Sequence, residues 1–287
     1  MLWLLLATST ACAEALKDVF SKMGLKRIDE YTLTFCLCIL TVLCLLPVLF
    51  WTGLPQIQPQ FWLALLINGS LNTLAFSLYV KAIKHSDLSI TLPIVNFTPF
   101  FLLITSPLIV QESLNCLDFV GSLMIILGSY VLNIKKNSGL GWTPIQSALR
   151  EQGPKLMLVV ALIWSISSNF DKLGVQNSSP LVWAIALYTF VSLILLPVVL
   201  IRSKRQLPIT SRSWATLLPM GMFNALGMYC QMQALTLTLV VNVIAIKRTS
   251  TLIGALLGCF LFQEQNIKQR LLGTIVMISG VILIAQT

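Results

Sequence analysis

Apolar residues run along the chain in ten stretches bounded by charge, proline or glycine, near 2–23, 32–51, 61–81, 89–110, 117–134, 154–174, 181–201, 213–235, 238–262 and 268–286. Each is close to the roughly 20 residues a helix needs to cross a hydrocarbon core about 30 Å thick. The pattern predicts ten membrane helices joined by short loops, with polar interruptions in the first, fourth and ninth. One longer polar break, 135–153, carries Asn137-Ser-Gly-Leu-Gly141 with charges at both ends and reads as a linker. The opening Met1-Leu-Trp-Leu-Leu-Leu6 has no basic leader, so the first stretch is read as a mature span and not a signal peptide.

The stretches repeat. Phe20-Ser-Lys-Met-Gly-Leu25 matches Phe170-Asp-Lys-Leu-Gly-Val175, and Pro47-Val48 matches Pro197-Val198, both at an offset of 150. After a two-residue insertion, Trp62, Gly69, Asn72, Ala82, Gln111-Glu112, Gly121 and Gly128 meet Trp214, Gly221, Asn224, Ala234, Gln263-Glu264, Gly273 and Gly280, all at 152. The expected organisation is a five-span repeat over 1–136, a linker over 137–153 and a second five-span repeat over 154–287. An odd number of spans per repeat inserts the halves in opposite orientations, the inverted-repeat plan of many transporters.

Composition narrows the class. The 287 residues are 56% hydrophobic and 10% charged, with a mean hydropathy of +0.87. Soluble domains carry about a quarter charged residues, so a soluble domain of useful size is excluded. The net charge of +9 is explained by topology and implies no nucleic-acid partner. Of 19 Lys and Arg, 15 lie in or beside the loops after spans 1, 3, 5, 7 and 9. Basic residues collect in cytoplasmic loops, which places both termini outside. Seven Cys and one His show no metal-ligand spacing, and no phosphate loop, nucleophile elbow or zinc motif is present. No enzyme activity, metal or cofactor is expected.

The 5+5 repeat, Pro93…Pro99…Gln111-Glu112…Gly121…Gly128 and Lys247-Arg-Thr-Ser250…Gly254…Gly258…Gln263-Glu264…Gly273…Gly280 together resemble the drug/metabolite transporter superfamily, in particular its EamA-type members. The resemblance covers essentially the whole chain and implies an all-α polytopic carrier. It says little about substrate. Many relatives keep both termini cytoplasmic, the reverse of the orientation counted from these charges.

Lys247 and Arg248 are the most informative pair. They lie about ten residues from the outer end of the ninth span, so at 1.5 Å per residue they sit roughly 15 Å deep, near the midplane. A charge there costs at least ~2.5 kcal/mol in lipid, so both must face the interior, a water-filled cavity or an acidic partner. They form either an anion site or a structural ion pair. The plastid triose-phosphate transporters look similar in carrying a Lys-Arg pair in the corresponding span.

In the first span Glu14, Lys17 and Asp18 share one helix face. Glu14 could pair with Lys247 or Arg248 or act in proton coupling, whereas Lys17 and Asp18 suit a local pair. The repeat sets Asn96 opposite Arg248, amid Pro93, Pro99 and Pro107, so the fourth span is expected to kink or unwind there. Asn72, Phe76 and Tyr79 recur at helical spacing, as do Asn224, Met228 and Gln231, with Tyr229 nearby; these faces serve substrate contact or interhelical hydrogen bonds. Trp164, the counterpart of Glu14, is a candidate aromatic wall. Glu112 and Glu264 read as helix caps.

The resulting expectation is a secondary, non-ATP transporter of a small anionic or zwitterionic metabolite (organic phosphate, carboxylate or amino acid), working by alternating access in a bacterial inner membrane as a monomer or homodimer. The alternatives are an exporter of neutral or cationic compounds, or a non-transporting receptor or scaffold.

Overall fold

The computed structural model describes residues 1–25, 28–85, 92–133, 152–202, 211–254 and 267–286. The linker, apart from its last two residues, and Gly258, Gln263 and Glu264 lie outside them. Among the described residues, helices α1 (Leu2–Gly24), α2 (Glu30–Thr52), α3 (Gln60–His85), α4 (Thr98–Ile109), α5 (Cys116–Asn133), α6 (Gln152–Gln176), α7 (Pro180–Arg202), α8 (Ser211–Leu237), α9 (Val240–Lys247) and α10 (Ile267–Ile284) each overlap one of the apolar stretches, α4 and α9 only in part. A 3-10 turn, Leu92–Phe97, precedes α4. Among the described residues four helices, α2, α3, α6 and α7, are long and apolar enough on their own to cross a membrane. The others are short, broken, or carry polar residues that dilute their hydropathy.

Helix starts follow ordinary capping chemistry. Asp29 accepts from the Thr32 N–H at 3.1 Å before α2, and its repeat counterpart Ser179 accepts from the Val182 N–H at 3.2 Å before α7. Each side chain satisfies a donor that the first helical turn leaves open. Many Thr and Ser hydroxyls inside helices bond back to the carbonyl three or four residues earlier, as Thr41 does to Leu37 O at 2.7 Å, so they need no water in an apolar surround.

The chain divides into two compact units that draw on both sequence halves. One holds Leu2–Thr73 and Phe170–Thr238, and the other Met1, Leu74–Asn169 and Leu239–Thr287. In the first, α1 packs on α8, and α2 packs on α7 and α8. Close approach is made by small residues. The Gly227 Cα faces Ala13, where an added methyl would sit 3.2 Å from the Ala13 Cβ. Gly174 leaves room for the Trp183 ring, and Gly69 for Phe190. Leu33, Leu40, Leu217 and Met220 form a buried cluster beside Phe20, which stacks on Phe223 with centroids 5.9 Å apart.

The same unit buries a carboxylate. Asp171 Oδ1 accepts from Asn68 Nδ2 at 2.7 Å and from the Trp183 indole N–H at 2.9 Å. Lys172, next in sequence, donates to Thr238 O at 2.8 Å, a favourable place for a cation because helix C-termini carry partial negative charge.

In the second unit α5 packs along α10, and α9 packs on α4 and α5. Glycines set the α5–α10 approach: Gly121 faces Gly280, and Gly128 faces Gly273. Large apolar side chains cover the outside. Phe50 and Trp51 at the end of α2 are 85% and 94% exposed, and Trp62 at the start of α3 is 62% exposed. Aromatic residues at helix ends suit the membrane–water interface. The chain is an integral membrane protein.

Candidate functional site

Two apolar stretches that the sequence repeat aligns depart from regular α-helix at equivalent points. The ninth begins with α9, whose residues Val240 to Ile246 are buried, and it stops at Lys247. The Arg248 N–H bonds to Ile244 O and Ala245 O, both at 3.1 Å. Bonds of the tighter three-residue type follow, from Thr249 N–H to Ile246 O at 2.9 Å and from Thr251 N–H to Arg248 O at 3.2 Å. The backbone is helical again over 250–254. No proline or glycine stands at this break. The hydroxyls of Thr249 and Thr251 take the carbonyls of Ile246 and Arg248 at 2.7 and 2.9 Å, a competition that loosens a helix locally.

The fourth stretch changes helix type at the equivalent point, where the 3-10 turn Leu92–Phe97 gives way to α4 at Thr98. Pro99, in the first turn of α4, has no N–H to lose there. Thr98 closes the junction by donating to Val95 O at 2.6 Å. The expected unwinding near Asn96 is thus a 3-10 turn. The interruption at Arg248–Thr249 has no such sequence marker.

The two breaks meet. Arg248 Nη2 donates to Thr98 Oγ1 at 2.9 Å. The Arg248 guanidinium lies 5.8 Å from the centroid of the Trp164 ring on α6, where the negative face of an indole attracts a cation. Tyr79 and Phe76, one turn apart on α3, pack on the same ring with centroids 5.8 and 6.4 Å away. A guanidinium, a hydroxyl and three aromatic rings therefore converge, all within the second unit. Asn96 and Ser250 flank the breaks and are buried, and Lys247 is half-buried in the last turn of α9.

Other expected site residues fall in the first unit. Asn224 on α8 donates to Thr41 Oγ1 of α2 at 2.8 Å and so ties two helices together. Gln231 is buried on α8. Tyr229 accepts from Gln233 Nε2 at 3.0 Å, and both line a cavity of about 270 Å³ with Thr52–Pro55 and Ser179–Leu181. Glu14 binds Lys17 at 2.5 Å, and Lys17 reaches Asp18 at 3.3 Å. The first-span charges thus form a cluster on their own helix. Among the described residues no group of three His, Cys, Asp or Glu could hold a metal ion.

Sequence reasoning passed over Thr98, although it stands inside Asn96-Phe-Thr-Pro99 and is the repeat counterpart of Ser250. It also passed over Asp171, which lies within the repeated Phe-x-Lys-x-Gly motif.

Comparison with known proteins agrees with this architecture. A crystal structure superposes with a TM-score of 0.82 over 98% of this chain and 95% of its own, at 14% identity, which shows the fold. A curated relative from a Sinorhizobium species, described as an uncharacterized transporter in the cobO 3′ region, is 24% identical over 137 residues, or 46% of this chain and 96% of its own length. The model of the EamA-like transporter family matches residues 1–134 and again 152–286. With both halves matched, the chain belongs to the EamA-like transporter family.

Proposed function

We propose that this protein is a secondary transporter of a small anionic or zwitterionic metabolite (an organic phosphate, a carboxylate or an amino acid), working by alternating access between two inverted five-span repeats, ten spans in all. One observation carries the reading: Arg248 stands at a helix break, on the Trp164 ring, bonded to the break of the repeat-equivalent span. Paired interrupted helices are the recurrent way carriers build a binding site near the midplane, because broken turns offer backbone groups to a ligand. A guanidinium adds a forked donor suited to carboxylate or phosphate. Lys247 adds a second cation, and Tyr79, Trp164 and Asn96 shape the remainder. The half-length relative supports the two-repeat plan.

Drive comes from exchange or an ion gradient, with Glu14 and Lys17 as the candidate coupling pair. The reading places the chain in a bacterial inner membrane with both termini outside. Uptake of phosphorylated sugars, organic acids and amino acids into proteoliposomes tests the function. Arg248→Ala and Lys247→Ala should abolish anion uptake while leaving the protein folded; wild-type uptake in both would overturn the assignment. Cys116, exposed at the start of α5, lies outside in this orientation, so an impermeant thiol reagent should label it in intact cells. Labelling only after lysis would reverse the orientation.

A further inference from the structure

We propose that Glu112 is a positioning residue for this site: its carboxylate holds the broken helix α9, and through it Lys247 and Arg248, in register against α4. The inference rests on the anion reading above. Helix α9 has only eight residues, and an isolated helix of that length is marginal. Its N-cap residue, Leu239, makes no side-chain cap. The cap comes from far away in sequence. The Val240 N–H donates to both oxygens of Glu112, at 3.0 and 3.2 Å, and the Ser106 hydroxyl on α4 donates to the same carboxylate.

The chain turns to make this possible. Gln111 adopts φ 59°, a left-handed conformation uncommon for a residue with a side chain, and this turn precedes a Glu112 that is buried. A negative group at the N-terminus of α9 and Lys247 in its last turn both match the sign of the helix dipole.

The two helices are therefore joined at both ends. Glu112, just beyond the end of α4, holds the start of α9, and Arg248, at the end of α9, holds Thr98 at the start of α4. A slip of one residue along α9 is about 1.5 Å, enough to break a 2.9 Å hydrogen bond at the far end and to move the guanidinium off Trp164. A cap that only stabilised the fold would change the amount of folded protein. A positioning residue changes the site in the protein that remains folded.

The test uses the purified full-length protein in nanodiscs, as wild type and as Glu112→Ala, Glu112→Gln, Val240→Pro and Arg248→Ala. Proline at the first helical position is tolerated, and the extended backbone of Leu239 suits a following proline. Val240→Pro therefore deletes the N–H while keeping an apolar side chain of similar size at this buried position, and decides the matter if Glu112→Ala does not fold. The first readout is Trp164 emission, taken as the difference from the same protein carrying Trp164→Phe. Glu112→Ala and Val240→Pro should change it in the direction of Arg248→Ala, whereas Glu112→Gln, which keeps an oxygen acceptor, should stay near wild type. The second readout is the dissociation constant for inorganic phosphate and for pyruvate. It should weaken about tenfold in Glu112→Ala, with the Glu112→Ala/Arg248→Ala pair no weaker than Arg248→Ala alone.

Wild-type Trp164 emission in both Glu112→Ala and Val240→Pro would overturn the proposal, as would fully multiplicative effects in the double variant. If Arg248→Ala binds both anions as wild type does, the anion reading fails, and Trp164 emission still decides the role of Glu112.

Discussion

Gly128 tests how closely α5 and α10 approach. A methyl built on its Cα would stand 2.7 Å from the carbonyl oxygen of Gly273, 2.8 Å from the Met277 nitrogen and 2.5 Å from Met277 Cγ. The methionine side chain can swing aside, but the two backbone atoms move only if the helices do. Since ordinary contact begins near 3.4 Å, Gly128→Ala must part α5 and α10 by about 0.7 Å along that line. Alanine gains about 1 kcal/mol over glycine in helix propensity, while overpacking of this kind costs about 1–3 kcal/mol. The net expectation is a loss of about 1 kcal/mol. Gly227→Ala is the control, because its methyl meets only the Ala13 Cβ at 3.2 Å, with the nearest backbone oxygen, Thr10 O, at 3.8 Å. There the propensity gain and the mild crowding should nearly cancel. Thermal unfolding in one detergent, followed by circular dichroism, should show Gly128→Ala melting about 2–4 °C below wild type and Gly227→Ala close to it. A Gly128→Ala protein that melts at or above wild type would refute the argument that backbone contact sets the α5–α10 distance.

Three further outcomes follow from the same geometry. Arg248→Lys keeps the charge but loses the planar fork, so anion affinity should fall about tenfold in equilibrium binding, between wild type and Arg248→Ala. Asn224→Ala should cost about 1 kcal/mol in unfolding assays by removing the α8–α2 hydrogen bond, with uptake per folded molecule unchanged; loss of uptake would instead place Asn224 at the substrate. Glu14→Gln removes the nearer partner of Lys17, whose side chain is 14% exposed, at a cost of about 2 kcal/mol. Glu14→Gln combined with Lys17→Met should recover most of that stability, and uptake by Glu14→Gln should lose its wild-type pH dependence if the pair couples transport to protons.

The helices were legible because lipid imposes a crude rule. A run of apolar residues bounded by charge has to satisfy its backbone internally, and among the described residues each of the ten runs holds a helix. The ninth run shows where the rule stops. Hydrophobicity lapses at Lys247–Ser250 and resumes after it, which marks a polar interruption without showing that the helix breaks at Arg248–Thr249. The break arises from hydroxyls bonding back to the main chain, which local composition allows but does not require. Pro99, by contrast, announced the disturbance in the fourth run.

The paired glycines were readable as packing sites because a bare Cα has few other uses mid-helix. Contacts between distant residues were not readable. The repeat aligned Trp164 with Glu14, which says nothing about its lying under Arg248, 84 positions on. Asn72 and Asn224 looked alike in register. Yet Asn224 spends its amide on Thr41, while Asn72 donates to Asn68 on its own helix at 2.9 Å.

The Glu112 cap also sets an order on synthesis. The carboxylate lies 128 positions before the N–H it receives, so it leaves the ribosome well ahead of α9. Until that segment arrives, Glu112 is held within its own half by the Ser106 hydroxyl. When α9 emerges, its first turn finds its acceptor already in place, and the last helices assemble against a finished partner. A chain cut in the linker should therefore leave its second half with α9 uncapped, and the two pieces should recover a complete site only when they are made in the same membrane.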